Sequence, residues 1–172
     1  MYKVYQRLKE SSNKIVAFHS SPYNIEDFNN FDIQTKSLSS TRIQGLFFSL
    51  EPQYSWGEYL YKVEILYKSK LTWDQRESKY DTLGIQEMFD ALLRGGTYYI
   101  CEDALNQSVY QHMSFEELEE YFYDYSENVE LFEIKNTSYA KHSNEIIIPD
   151  LTYYGRSNSV SINILNFYRL NN

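Results

Sequence analysis

Apolar and polar positions along the chain fall into short runs with two distinct periods. Lys14–His19 (KIVAFH) is β-branched and apolar and predicts a strand, stopped by Ser20-Ser21-Pro22. Gly45–Leu50 (GLFFSL) is a second apolar run, too short for a helix. Glu51-Pro52 predicts a helix running to about Tyr59, since proline suits a first helical turn. Tyr61–Leu66 (YKVEIL) alternates with period two, the mark of a strand with one face on a core.

The period then changes. Ile85, Met88, Phe89, Leu92 and Leu93 share one face of a helix that Gly95-Gly96 would end. Ser114 and Glu117 form a capping-box pattern that opens another helix, with Phe115, Leu118, Phe122 and Tyr125 as its inner stripe. Residues 129–134, 145–148 and 160–167 return to β-branched or alternating patterns. Strands, then helices, then strands predict an α+β fold. Three prolines, six glycines and no repeat or linker predict one domain over residues 1–172.

A chain of 172 residues can bury a core without staples, and a charged fraction of 23% is ordinary for a globular domain. The single cysteine, Cys101, rules out an internal disulfide and reads as a small buried apolar residue. No apolar run reaches the roughly 20 residues needed to span a bilayer, and the N-terminus lacks a signal-peptide core. A soluble, cytoplasmic protein without a membrane partner is expected. The net charge of −8 disfavours nucleic acid and favours a basic protein surface as partner. His112 and His142 stand without further ligands at metal spacing, so no metal site is expected.

Three segments place a polar group at the end of an apolar strand: Phe18-His19-Ser20-Ser21-Pro22, Gly45-Leu46-Phe47-Phe48-Ser49 and Asn144-Glu145-Ile146-Ile147-Ile148-Pro149. In this order and spacing they resemble the histidine–aromatic–glutamate branch of the ADP-ribosyltransferase superfamily, over Val16–Leu66 and Ser138–Pro149. Similar His-Ser/Thr-Ser-Pro openings occur in phage and bacterial members, among them anti-defence proteins. It implies split antiparallel sheets carrying a helical insert, with NAD as substrate and a host protein as target in the host cytoplasm.

Cleaving the nicotinamide–ribose bond builds positive charge on the sugar, and a fixed carboxylate stabilises it. By resemblance Glu145 is that carboxylate, and His19 is the second catalytic residue, holding the other ribose. Ser20, through its backbone, and Ser21 would lie on the NAD turn. Phe47 and Tyr59 would wall the nicotinamide ring, and Ser49 and Ser55 would lie beside them. Ser20 stands where glycine is common, a departure several branches share. Ser143 occupies the position at which arginine-specific members carry a second Glu or Gln, and that branch has an arginine where this chain has His19, so the acceptor residue is open.

Each of these residues also has an ordinary reading. A strand-end histidine is usually a satisfied structural residue, and Glu145 by itself reads as a solvated strand-end charge. Phe47 and Tyr59 could equally be core in a chain with 18 tyrosines and 10 phenylalanines. Phe48, on the opposite side of its strand, is expected in the core. Glu116, Glu117, Glu119 and Glu120 read as the wet face of a helix. The leading expectation is transfer of ADP-ribose from NAD to a macromolecule, with a protein side chain as the expected acceptor. The alternatives are a non-catalytic acidic binding protein on the same fold, or an NAD hydrolase.

Overall fold

β-branched and aromatic residues at alternate positions build seven strands in the computed structural model, which describes residues 13–29, 43–52, 57–77, 82–94, 114, 116–117, 120, 128–137, 144–157 and 160–170. They are β1 (Asn13–Ser21), β2 (Gly45–Ser49), β3 (Tyr59–Tyr67), β4 (Lys70–Asp74), β5 (Leu131–Lys135), β6 (Glu145–Pro149) and β7 (Ser161–Arg169). The α-helix α1 (Thr82–Leu93) lies between β4 and β5 in the chain, and residues 116–117, 120 and 128 are helical as well. The class is α+β, as the order of periods predicts.

The strands form a sheet in the order β4-β5-β6-β2-β1-β3-β7. Its six junctions are not equal. β1 and β3 pair along nine positions from Asn13–Tyr67 to Ser21–Tyr59, whereas β1 and β2 share one, Phe18 opposite Ser49. The expected split antiparallel sheets are thus corrected to one mixed sheet, whose narrowest junction lies between β1 and β2. Every pairing is antiparallel except β4 with β5, which is parallel. A parallel pair cannot be closed by a tight turn and needs a long crossover. The chain between Asp74 and Leu131, with α1 in it, is that crossover.

Two cores lie on the two faces. One joins α1 to β4, β5 and β6 through Ile85, Phe89, Leu92, Trp73, Phe132 and Ile147, with the Phe89 and Phe132 rings stacked at 4.1 Å. The other joins β1 and β3 to β2 and β6 through Ala17, Tyr61, Val63, Phe48, Ile146 and Ile148. β6 thus contributes to both, which is why its apolar run is unbroken rather than alternating. Gly45 permits the close approach of β2 to β6, since a Cβ there would strike the Ile148 carbonyl.

The expected helix after Pro52 is corrected on the described part of its range. Glu51 and Pro52 are not helical, Gly57 and Glu58 lead directly into a strand, and Tyr59 is the first residue of β3. Gly57 lies against the Ser21–Pro22 backbone, where a side chain would clash. β4 was not expected at all. At Ser114 the capping box is formed, with reciprocal bonds of 3.2 Å between Ser114 and Glu117. Cys101, His112, His142 and Gly95-Gly96 lie outside the described residues. Among the described residues no helix is long and apolar enough to cross a membrane.

Candidate functional site

The three chemistry-bearing segments become neighbouring strands. Phe18 on β1 lies opposite Ser49 on β2, and Ser49 lies opposite Glu145 on β6. Residues directly opposite one another in a sheet point to the same face. Ser49 and Glu145 therefore share the face covered by α1, with Phe47 and Ile147 two residues along. His19, one step beyond Phe18, belongs to the other face.

Glu145 opens β6 on the side of α1, where Gln86 hydrogen-bonds its carboxyl group. Burial pushes the Glu145 pKa up to about 7, and the bond from Gln86 opposes that rise. Its Oε2 is buried without a hydrogen-bond partner among the described residues, and so is Gln86 Oε1. A buried acceptor left unmatched is costly. The carboxyl group of Glu145 thus has the capacity to receive one more donor or to hold a proton itself.

His19 sits in the seam where β1 and β2 part. Its Nδ1 meets the Phe47 carbonyl oxygen at 2.6 Å, so a side chain spans the gap that a ladder bond would otherwise close. A carbonyl only accepts, so Nδ1 carries the hydrogen, and in the neutral ring Nε2 is the acceptor. Burial lowers the pKa and outweighs the bond to Phe47 that raises it, which keeps the ring neutral. The ring packs edge-on to Phe28 at 5.3 Å and against Phe48 at 5.4 Å.

The remaining expected residues are placed less uniformly. Ser20 is half-buried and continues the pairing of β1 with β3, opposite Leu60. Ser21 is buried, and its Oγ accepts from the Tyr23 amide at 3.0 Å, closing the turn after β1. The Ser49 hydroxyl donates to the Glu51 carbonyl at 2.5 Å. Ser55 lies outside the described residues. Phe47 packs against the α1 core, while Tyr59 packs against the other core and stacks on Phe167 at 5.6 Å. The structure does not bring Phe47 and Tyr59 together as two walls of one slot. Phe48, 3% exposed, is core as expected.

Sequence reasoning did not find Gln86, nor the polar chain that fixes the start of β6. Seven residues make about two helical turns, so Gln86 lies on the same side of α1 as Leu93, which is fully packed. A polar residue at such a position is the available signal. In the second case Lys70 Nζ donates to Glu133 Oε1 at 2.9 Å, and Asn144 Nδ2 donates to Glu133 Oε2 at 2.6 Å. Nothing local in the sequence links residues on three separate strands and loops. In comparison with known proteins, the chain matches no family model, no curated protein and no solved structure.

Proposed function

We propose that this protein is an NAD-dependent ADP-ribosyltransferase acting on a macromolecular target. The observation that carries the reading is the alignment of Phe18, Ser49 and Glu145 on three adjacent strands. It gathers three segments, far apart in the chain, whose residues resemble that superfamily. The narrowest junction of the sheet, beside them, supplies a seam.

In this reading Glu145 faces the ribose that loses nicotinamide. Its Oε2 is sealed from solvent in the ligand-free protein. This reading therefore requires the cover over Glu145 to open before Oε2 accepts a ribose hydroxyl and the charge stabilises the oxocarbenium-like transition state. Ionisation of a buried carboxyl is unfavourable in the free protein, but the cationic nicotinamide ribose offsets that cost when NAD is bound. His19 Nε2, the free acceptor of a ring oriented by Phe47, takes a hydroxyl of the other ribose. The two side chains leave their strands toward opposite faces, and the junction between β1 and β2 is bridged by the Phe18–Ser49 pair and the His19–Phe47 bond. Contact of one dinucleotide with both therefore requires that junction to open. A phage or bacterial effector acting in a host cytoplasm is the setting the resemblance favours.

Labelled NAD incubated with the protein and a bacterial lysate tests the reading. Label on a macromolecule, abolished in Glu145→Gln, is the expected result. Free ADP-ribose alone would instead indicate hydrolysis. No turnover by either protein would sink both enzymatic readings. The packing of His19 between Phe28 and Phe48 favours a second reading, in which His19 is structural and the acidic domain only binds a partner. Calorimetric titration with millimolar NAD separates the two, because only the first predicts heat.

A further inference from the structure

Glu145 and Gln86 each bury one oxygen without a partner, and the two residues are already joined by one hydrogen bond. Gln86 belongs to the face of α1 that closes over the sheet and is 2% exposed. Its side chain has little room to leave Glu145, and water has little access to relieve the two oxygens. Two hydrogen-bonded groups with complementary orphans have a simple solution. A protonated carboxyl and a carboxamide form a ring of two bonds, each group donating once and accepting once.

We propose that Gln86 is a positioning residue for Glu145, and that in the ligand-free protein the two side chains close a carboxyl–carboxamide ring. Gln86 Nε2 donates to one oxygen of Glu145, and the protonated Oε2 of Glu145 donates back to Gln86 Oε1. Both orphaned atoms are then satisfied by each other. When Glu145 ionises its proton passes to solvent, the second bond is lost, and the first remains to hold the carboxylate in place. The assignment of Gln86 as a positioning group for catalysis rests on the proposed transferase activity. The ring itself does not.

The surroundings suit a neutral carboxyl. Opposite Glu145 stand Ser49 on β2 and Ile134 on β5, neither of them charged. The neighbouring strand charge, Glu133, pairs with Ile146 instead and is held by Lys70 and Asn144. On α1, one turn beyond Gln86, Asp90 binds Arg94 at 3.0 Å and the Tyr154 hydroxyl at 2.6 Å. Burial and Gln86 are the influences that act on Glu145. No described cation competes for its proton.

Nuclear magnetic resonance on the full chain, without NAD, tests the ring. The Glu145 carboxyl carbon, assigned by its disappearance in Glu145→Gln, should titrate near neutrality, and the Gln86 side-chain amide should titrate with the same midpoint. In Glu145→Gln the Gln86 signal should be flat across the same range. A Gln86 amide indifferent to pH while Glu145 titrates, or a Glu145 ionised throughout from pH 5 upward, would overturn the proposal. For the catalytic role, Gln86→Met should lower kcat about tenfold and leave KM for NAD nearly unchanged, as loss of an interaction made in the transition state requires. A change in KM alone would refute the positioning role. Co-titration in a protein that never consumes NAD would leave the ring standing and remove the transferase reading.

Discussion

Asn144 reaches from the residue before β6 to Glu133 on β5, its Nδ2 donating to Oε2 at 2.6 Å. Its carbonyl accepts from the Leu50 amide at 3.2 Å, and its side-chain oxygen accepts from the Asn136 amide at 3.3 Å. The side chain of Asn144 thus ties the start of β6 to β5 and the residue after it, and its backbone carbonyl adds the exit of β2, one residue before Glu145. Glu133 is 5% exposed and ion-paired to Lys70 at 2.9 Å. Such a carboxylate tolerates burial only while both partners remain. Asn144→Leu should cost about 2 kcal/mol, the penalty for an under-bonded buried charge, read from urea denaturation at pH 7. It should also lower NAD turnover by displacing Glu145. Lys70→Met should cost at least as much, about 3 kcal/mol, and a loss under 0.5 kcal/mol would mean that Glu133 is better hydrated than its burial implies.

Glu145 weakens the fold as pH rises toward neutrality. Its pKa is about 7 in the folded protein, above the ordinary carboxyl value of 4.5. Below the ordinary value both states are protonated and burial of the neutral carboxyl carries no titration cost. As pH rises toward 7 the unfolded chain ionises and the folded protein does not, so stability falls through that window by about 3 kcal/mol. Glu145→Gln removes the titration and supplies a second carboxamide against Gln86. Its melting temperature should exceed that of the parent by several degrees at pH 8 and match it near pH 4, while NAD turnover falls at least about 100-fold. Equal melting curves at pH 8 would show a solvated carboxylate.

Some of this was readable and some was not, for physical reasons. The strands around His19, Phe47 and Glu145 announce themselves because a half-buried or fully buried strand leaves its own period in the sequence. The inner stripe of α1 does the same, and the Ser114–Glu117 box forms as read. Pro52 suits a first helical turn, but Tyr59 is drawn into β3 by nine paired positions with β1, a long-range gain that a local reading does not contain. β4 is five residues long and pairs in parallel with a strand far along the chain, so neither its length nor its partner marks it. The relation of His19 to Glu145 depends on the parity of the single Phe18–Ser49 contact, and no alternation within either segment reveals it.

His19 stabilises the fold through packing and one hydrogen bond, and these can be separated from any role in binding. His19→Ala should leave a hole between Phe28 and Phe48 and cost about 2 kcal/mol. His19→Phe refills the space and leaves the Phe47 carbonyl unpaired, so it should cost about 1 kcal/mol. Because burial lowers the folded pKa, the unfolded chain takes up a proton first as pH falls below its ordinary value of 6.5. The parent should therefore lose stability on acidification from that point, a trend opposite to that of Glu145 and missing in His19→Phe. Both variants should weaken NAD binding about tenfold if Nε2 holds a ribose hydroxyl, and unchanged calorimetric affinity in His19→Phe would make the residue purely structural.

Tyr61 governs how firmly the segment after β1 is held over His19. Its ring is 1% exposed and meets Phe28 edge-on at 5.2 Å. Its hydroxyl accepts from the Ile25 amide at 2.5 Å and donates to the Tyr23 carbonyl at 3.2 Å. Tyr61→Phe keeps the ring and removes the acceptor of the Ile25 amide, whose residue is buried. The expected cost is about 1–2 kcal/mol. Phe28, carried on the same segment, is the ring that lies against His19, so the change should reach the seam as well. Faster hydrogen exchange at Ile25 and Phe28, with β3 still protected, is the signature to measure. Uniformly faster exchange through β3 would mean that the hydroxyl supports the sheet itself, and that the segment over His19 is held by its apolar contacts.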